Sequence, residues 1–151
     1  MVLPLTSALP AVLLVAAAAP APLCQGTPGE VRLDLVVTDV ASDQGNVTVV
    51  VYDKPGTFLK RGGRLFKVRL PIAAGSAQAC LGLPRPGTYA VAVYHDADDD
   101  GKFGRNWIGL PSEGWGFSTN PPRSYGVPTF AQVAFTTGGD GSRQTIRMRY
   151  P

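Results

Sequence analysis

The sequence predicts an all-β fold, a single antiparallel sandwich of about seven short strands over residues 31–151. Three observations carry this prediction. Segments of strand length alternate apolar and polar side chains with a period of two. The 18 Gly and 14 Pro residues follow no repeat and divide the chain into short pieces. Beyond residue 30 no convincing helical pattern is found, so the domain is expected to consist of strands and turns.

The N-terminal segment predicts export. Residues 1–29 carry no charged side chain, and residues 9–19 form an apolar run followed by small residues. This pattern is typical of a secretory signal peptide, and the run is shorter than the about 20 residues of a membrane-spanning helix. We therefore predict a signal peptide over 1–21, a short tail over 22–30 and a mature chain without a transmembrane span. A periplasmic or extracellular location follows.

The first strand segment, residues 31–40, places Val31, Leu33, Leu35 and Val37 on one side. A turn at 42–46 separates it from the β-branched segment 47–52. Two strands joined by a short turn are expected to pair, so these segments are predicted to form a hairpin.

The middle of the chain predicts three further strands. Residues 65–70 form a segment that ends before a proline, and 77–81 is the weakest candidate. The turn Pro84-Arg85-Pro86-Gly87 precedes the strong segment 88–94, in which large and small apolar side chains alternate.

The last third of the chain begins with a long loop excursion, predicted at about 95–129 with at most short extended pieces. Residues 130–136 and 145–150 then alternate again, on either side of the glycine-rich turn at 138–141. These two segments complete the predicted set of seven strands.

Cys24 and Cys80 are the two cysteines of the chain. In an exported protein they could form a disulfide that ties the tail to the sandwich. Cys24 could instead carry a lipid, although the preceding Ala21-Pro22-Leu23 fits that modification poorly, or both thiols could stay free with Cys80 buried. Spacing alone leaves these three states open.

The distribution of charge excludes one class of partner. The net charge is +3, and the basic residues are scattered along the strand segments. Nucleic-acid binding would require a concentrated basic surface, so no nucleic-acid partner is predicted. The acidic residues are concentrated instead, since four of the eleven lie between Asp96 and Asp100.

This acidic loop predicts a calcium site. Asp96, Asp98 and Asp100 have the D-x-D-x-D-G spacing of calcium loops, with Gly101 at the sharp turn. Three carboxylates at one centre repel each other unless a cation lies between them. The carbonyl of Lys102 is the next expected ligand.

The ligand set cannot be that of an EF-hand. Trp107 stands at the position of the bidentate Glu, and no flanking helices are predicted, so Glu113 is expected to fold back and complete the shell. The alternative is an Asp- and Gly-rich turn whose carboxylates accept hydrogen bonds from backbone N–H groups.

Two tryptophans between glycines, Trp107 and Trp115, follow the acidic loop. They could form a platform for a carbohydrate or a peptide. They could also pin the long loop to the core, which is the commoner role of large aromatic side chains in such loops.

Several stretches between residues 83 and 118 form a specific pattern: Leu83-Pro84, Gly87-Thr88-Tyr89-Ala90-Val91, Tyr94-His95-Asp96, Asp100-Gly101-Lys102, Gly109-Leu110-Pro111 and Glu113-Gly114-Trp115-Gly116-Phe117-Ser118. This pattern resembles the bacterial domain-of-unknown-function family 2141, over about residues 31–150. The resemblance implies an exported β-sandwich of the immunoglobulin-like or transthyretin-like sort. It implies no activity. Asp98 and Asp100 stand where Asn is common in the family, so this loop is the more acidic.

These features favour an exported non-catalytic module that binds envelope glycans or proteins, with calcium organising its loop. One alternative is a hydrolase, built on His95 with Ser112 or Ser118, or on Glu113 paired with Asp96 or Asp98. Another is a structural protein of envelope assembly. A single His and the absence of a C-x-x-C motif argue against zinc.

Overall fold

The computed structural model describes residues 23–29, 31–123 and 126–151. The predicted signal peptide, residues 1–21, lies outside the described residues. The described part contains nine strands, one short α-helix and one 3-10 turn at Pro55–Thr57. Their bounds are β1 Gln25–Gly26, β2 Val31–Thr38, β3 Asn46–Tyr52, β4 Phe66–Leu70, β5 Ala77–Leu83, β6 Gly87–Asp96, β7 Trp115–Phe117, α1 Phe130–Val133, β8 Ala134–Thr137 and β9 Ser142–Arg147.

Two packed sheets confirm the predicted all-β sandwich. One sheet has the strand order β1-β5-β2-β9, and the other has the order β4-β3-β6, with both β7 and β8 paired to β6. β8 pairs with residues 87–90 of β6, and β7 pairs with residues 92–94. β6 is therefore central in its sheet, and the acidic loop begins where this strand ends at Asp96.

The main core lies between the sheets. Alternate side chains of β2 and β3 are fully buried there, which removes their apolar surface from water at about 1.5–3 kcal/mol for each large side chain. The other strands add the rest of the cluster, including Leu81, Val91 and Ile146. The residues from β2 and β3 are Val31, Leu33, Leu35, Val37, Val47, Val49 and Val51.

The outer face of the β3–β6 sheet is covered as well. Val50, Tyr52, Ala90 and Tyr94 form a second cluster with Phe130 and Val133 of α1. Phe103, the third residue after the acidic segment 96–100, packs against Tyr94 with ring centroids 5.6 Å apart. This contact anchors the loop excursion directly after its acidic part.

The predicted hairpin between residues 31–40 and 47–52 is wrong. β2 pairs with β5 and β9, whereas β3 pairs with β4 and β6 in the other sheet. The connection is bound elsewhere, since Val40 N–H donates to the Gly75 carbonyl at 2.9 Å and Asp43 accepts from Gly75 N–H at 2.9 Å. The chain crosses between the sheets here, which lets the apolar sides of β2 and β3 face each other across the core.

The purely antiparallel arrangement also needs correction. β9 runs parallel to β2, and β1 runs parallel to β5, so the first sheet is mixed. A parallel neighbour is far away along the chain, and the local alternation of side chains carries no information about it. Periodicity therefore predicted the strands but not their directions.

The predicted strand over 130–136 is wrong in its first half. Residues 130–133 form α1, and β8 begins only at Ala134. Thr129 and Gln132 form a capping box at its start. Phe130 and Val133 are both buried, and their spacing of three matches a helical turn.

A disulfide joins Cys24 to Cys80, with Cα atoms 4.7 Å apart. Cys80 lies in β5, and Cys24 directly precedes β1, which pairs with β5. The thiol of Cys24 is therefore occupied and does not carry a lipid in this structure. Within the part of the chain that is described, no helix has the length and apolar character to cross a membrane.

Candidate functional site

The site begins at Asp96, the last residue of β6, whose side chain is 0% exposed. Its Oδ1 accepts a hydrogen bond from Asp100 N–H at 3.0 Å, and its Oδ2 accepts one from Gly101 N–H at 3.0 Å. These bonds wrap the loop around the buried carboxylate, so the end of a rigid central strand fixes the position of one oxygen pair.

The tight turn of residues 97–101 depends on two residues with positive φ. Asp99 has φ 58° and Gly101 has φ 78°, values that Asp tolerates and Gly adopts freely. A Cβ at Gly101 would collide with the guanidinium of Arg69. Asp98 Oδ1 accepts from Asp100 N–H at 3.3 Å, the same donor that Asp96 binds, so the two carboxylates lie side by side.

A return hairpin, residues 104–113, brings Glu113 back to this loop. Gly104 N–H donates to Glu113 Oε2 at 2.7 Å, and Ser112 N–H donates to the Gly104 carbonyl at 3.0 Å. A Cβ at Gly104 would lie 2.7 Å from Ser112 Oγ and 3.0 Å from Glu113 Cγ. A larger residue at position 104 would therefore displace the side chains of Ser112 and Glu113.

Asp96, Asp98 and Glu113 converge. Each offers a carboxylate oxygen, and these three oxygens lie within 4.8 Å of one another. Two ligands on opposite sides of a calcium ion are about 5 Å apart, because each calcium–oxygen distance is about 2.3–2.6 Å. The three oxygens therefore fit around one such ion.

Of the two other predicted ligands, Asp100 is placed differently, whereas the carbonyl of Lys102 stays a prediction. The carboxylate of Asp100 accepts from Lys102 N–H at 2.7 Å and does not belong to the converging group among the described residues. The side chain of Lys102 is exposed. The neighbouring carbonyl of Gly101 accepts from Lys67 Nζ at 2.9 Å, which holds the loop against β4.

The electrostatics of the cluster are unbalanced on one side. Burial raises the pKa of Glu113, and the negative charges of Asp96 and Asp98 raise it further. The hydrogen bond from Gly104 N–H lowers this pKa but does not cancel the rise. Arg69 lies 3.9 Å from Asp96 and 3.2 Å from Asp99. Within the described ranges neither Asp98 nor Glu113 has a Lys or Arg at ion-pair distance. The uncompensated charge is therefore on the side of the return hairpin.

The residues that brace the loop from β3 and β4 could not be predicted from the sequence. Asn46 Nδ2 donates to Asp99 Oδ1 at 2.7 Å, and Arg69 Nη1 donates to the same oxygen at 3.2 Å. Asn46 faces Asp96 in the β3–β6 ladder. The predicted hairpin paired β3 with β2, so the position of Asn46 beside Asp96 could not be found. The correct pairing of β3 with β6 would have indicated it.

His95 takes part in a closed hydrogen-bond network rather than a catalytic one. It is 3% exposed, and its Nε2 donates to the Gln44 carbonyl at 2.8 Å. Its Nδ1 then accepts from the Tyr150 hydroxyl at 2.8 Å, and that hydroxyl accepts from Ala41 N–H. Both ring nitrogens are occupied, so His95 does not activate Ser112 or Ser118; Ser118 Oγ is buried and bonded to the backbone of β6.

The two tryptophans differ. Trp107 stands at the tip of the return hairpin and is 96% exposed. Trp115 is half-buried in β7, where it faces Tyr94 of β6 in the ladder and exchanges backbone hydrogen bonds with Arg149. The structure therefore separates them: Trp115 lies within the sheet, and Trp107 faces the solvent.

The arrangement offers a hard cation three carboxylates, one buried and two partly open to solvent, with water available for the remaining positions. Oxygen ligands of this number suit Ca²⁺ at the weak end of its protein affinities. The open side of the site is formed by Asp98 and the return hairpin, so an ion would reach it from there.

A family model described as “Uncharacterized protein conserved in bacteria (DUF2141)” matches residues 35–146. The match includes the whole acidic loop, the return hairpin and most of the sandwich. No curated protein and no solved structure matches the chain.

Proposed function

The chain belongs to the DUF2141 family of uncharacterised bacterial proteins, and we propose that it is an exported, non-catalytic module that binds a partner at the cell envelope. In this proposal the acidic loop holds Ca²⁺, and the ion fixes the return hairpin with Trp107 at its tip. Envelope glycans and proteins are the partner classes that the exposed aromatic side chain suits.

One observation supports the calcium part of the proposal: oxygens of Asp96, Asp98 and Glu113 lie within 4.8 Å of one another. Asp96 belongs to the sheet and Glu113 to the return hairpin, so an ion between them would join the two. The raised pKa of Glu113 is consistent with a carboxylate whose charge lacks a partner nearby.

A non-catalytic role agrees with the placement of the acidic groups. Asp96 is fully buried, and both its oxygens accept from backbone N–H groups, so it is out of reach of a substrate. The hydrolase that pairs Glu113 with Asp96 would need both carboxylates in an open cleft, whereas the pair of Glu113 with the exposed Asp98 stays an alternative.

Thermal unfolding tests the calcium site. At 10 mM Ca²⁺ a site with a Kd of about 0.1–1 mM stabilises the fold by about 1.4–2.7 kcal/mol. For a domain of this size the melting temperature rises by about 5–10 °C relative to EDTA. Asp98→Asn keeps an oxygen for the Asp100 N–H but removes a charged ligand, so most of the rise should be lost.

Asp99→Asn is the matched control. It makes the same charge change in the same loop, but Asp99 binds Asn46 and Arg69 and lies outside the converging oxygens. It should keep the calcium-dependent rise. If the wild type melts at the same temperature with and without Ca²⁺ at matched ionic strength, the loop binds no calcium. Its carboxylates then serve only to accept hydrogen bonds from backbone N–H groups.

A further inference from the structure

The tip of the return hairpin exposes a group of large apolar side chains. Trp107 is 96% exposed, and Ile108 and Leu110 are each 56% exposed. These three account for half of the six large hydrophobic residues that are exposed in the described parts of the chain. Single exposed apolar residues are ordinary, whereas a cluster within four positions indicates a binding surface.

Part of the backbone of this tip is hydrogen-bonded within the tip. Ile108 N–H and Leu110 N–H both donate to Asn106 Oδ1, at 3.1 and 2.9 Å, and Gly109 N–H donates to the Asn106 carbonyl at 2.9 Å. The Gly109 carbonyl accepts from Arg105 at 2.9 Å. These four groups keep their partners when the tip leaves water, which lowers the cost of moving them into the interfacial region of a bilayer.

The charges around the tip are close to balance. Among the nine charged side chains of the acidic loop, the return hairpin and the neighbouring β4, the acidic ones exceed the basic ones by one, so a bound dication would change the sum of these nine charges from −1 to +1. The acidic residues are Asp96, Asp98, Asp99, Asp100 and Glu113, and the basic residues are Lys67, Arg69, Lys102 and Arg105.

We propose that this tip docks onto the surface of an anionic bilayer, and that calcium in the acidic loop switches the docking on. The inference rests on the proposed calcium site and goes beyond the glycan and protein partners proposed above, because it assigns a lipid surface to the tip. Trp107, Ile108 and Leu110 enter the interfacial region, where Trp is favoured, while Lys102 and Arg105 face the phosphates. Without the ion the acidic side chains oppose a negative surface.

A bilayer suits this tip better than a protein does. Stable protein interfaces bury about 1,600 Å² in total, far more than one convex hairpin tip can offer. Insertion into lipid needs no complementary surface, and three large side chains add substantial transfer free energy.

Sedimentation with vesicles tests the proposal on the mature protein. We use vesicles of phosphatidylcholine alone and vesicles that also contain phosphatidylglycerol, each in Ca²⁺ and in EDTA. Calcium should strengthen binding to the anionic vesicles by about 30-fold, because each unit charge near the surface contributes about fivefold. Trp107→Ser should weaken the calcium-dependent binding at least about tenfold.

Leu59→Ser is the matched control for Trp107→Ser. Leu59 is an exposed apolar residue that follows β3 at the end of the sandwich opposite the acidic loop. It should leave vesicle binding unchanged. In a Trp115→Phe background Trp107 is the sole tryptophan, and its fluorescence should shift to the blue on anionic vesicles.

The outcomes separate the two proposals. A melting temperature that rises with Ca²⁺, without calcium-dependent binding to anionic vesicles, overturns the docking and leaves the calcium site. Equal binding in EDTA, equal binding to neutral vesicles or insensitivity to Trp107→Ser also overturns it. The absence of any calcium-dependent stabilisation refutes the calcium site itself.

Discussion

Glu113→Gln should change stability in opposite directions with and without calcium. Glutamine still offers an oxygen to the Gly104 N–H, which binds Glu113 at 2.7 Å, so the return hairpin keeps its closing hydrogen bond. The substitution removes the negative charge that faces Asp96 and Asp98. In EDTA the variant should therefore be more stable than the wild type, and in calcium it should lack a ligand.

The magnitude follows from the separation of the oxygens. At 4.8 Å two unit charges repel by about 0.9 kcal/mol in bulk water and about 3.5 kcal/mol at an effective dielectric constant of about 20. Asp98 is exposed and Arg69 partly offsets Asp96, so screening favours the lower end, about 1 kcal/mol. That corresponds to a melting temperature about 4 °C above the wild type in EDTA. In 10 mM Ca²⁺ the wild type gains about 5–10 °C, which exceeds this difference, so the wild type should melt at the higher temperature.

The pH dependence supplies an internal check. The pKa of Glu113 is raised in the folded protein above its ordinary 4.5, because of burial and then the charges of Asp96 and Asp98. The protonated form is therefore favoured by folding, and its stabilisation is present below about pH 4.5 and lost as pH rises through the raised pKa. In EDTA the advantage of Glu113→Gln should be small at low pH and should grow as pH rises through this range.

The assay is thermal unfolding in EDTA and in Ca²⁺ at matched ionic strength, followed across the pH range. Asp140→Asn, in the exposed turn before β9, is the control for the loss of one negative charge and should show neither effect. A Glu113→Gln variant that melts below the wild type in EDTA, or gains as much from calcium, would refute this reasoning about crowded carboxylates.

Three further predictions concern the parts that hold the site. Gly104→Ala should remove most of the calcium-dependent rise in melting temperature, because its Cβ would lie 3.0 Å from Glu113 Cγ, whereas Gly138→Ala, with open space around it, should not. Tyr150→Phe leaves Ala41 N–H and the buried His95 without their shared partner and should cost about 1–3 kcal/mol in denaturant unfolding, with the calcium response kept. The double change of Cys24 and Cys80 to Ser opens a 56-residue loop and should cost up to about 4 kcal/mol, measured against wild type under non-reducing conditions.

The strands could be predicted from the sequence where one face is buried. The alternation of apolar and polar side chains in 31–40 corresponds to β2, because a period of two reports one-sided burial directly. In 88–94 the alternation was of large and small apolar side chains, and it corresponds to β6, which is buried on both faces. The pairing could not be predicted in the same way. β3 is buried on both faces, so its run of β-branched residues carries no preferred side and did not indicate which sheet it joins.

The acidic loop was partly predictable for a similar reason. The spacing of Asp96 and Asp98 is local, and it identified two of the three converging oxygens. Glu113 was expected because it is the nearby Glu, but its path back depends on the tight contact at Gly104, which is tertiary. Asp100 has the right spacing, yet its carboxylate caps Lys102 N–H in the structure. Spacing alone cannot show which carboxylates of a turn remain available to an ion.

In the proposed calcium site, the distribution of counter-charge favours a dication over a monovalent ion. Arg69 from β4 approaches Asp96 and Asp99, so the carboxylates next to the sheet share one fixed positive charge. Asp98 and Glu113 lie on the other side, among the described residues without such a partner, and they repel across a gap no wider than 4.8 Å. Two uncompensated charges at that distance require two positive charges between them for neutrality. Mg²⁺ demands a near-octahedral shell and gives up its waters reluctantly, whereas Ca²⁺ accepts irregular oxygen sets. A site whose oxygens come from a rigid strand end and a separate hairpin is irregular by construction, so the stabilisation should be larger with Ca²⁺ than with Mg²⁺ at the same concentration.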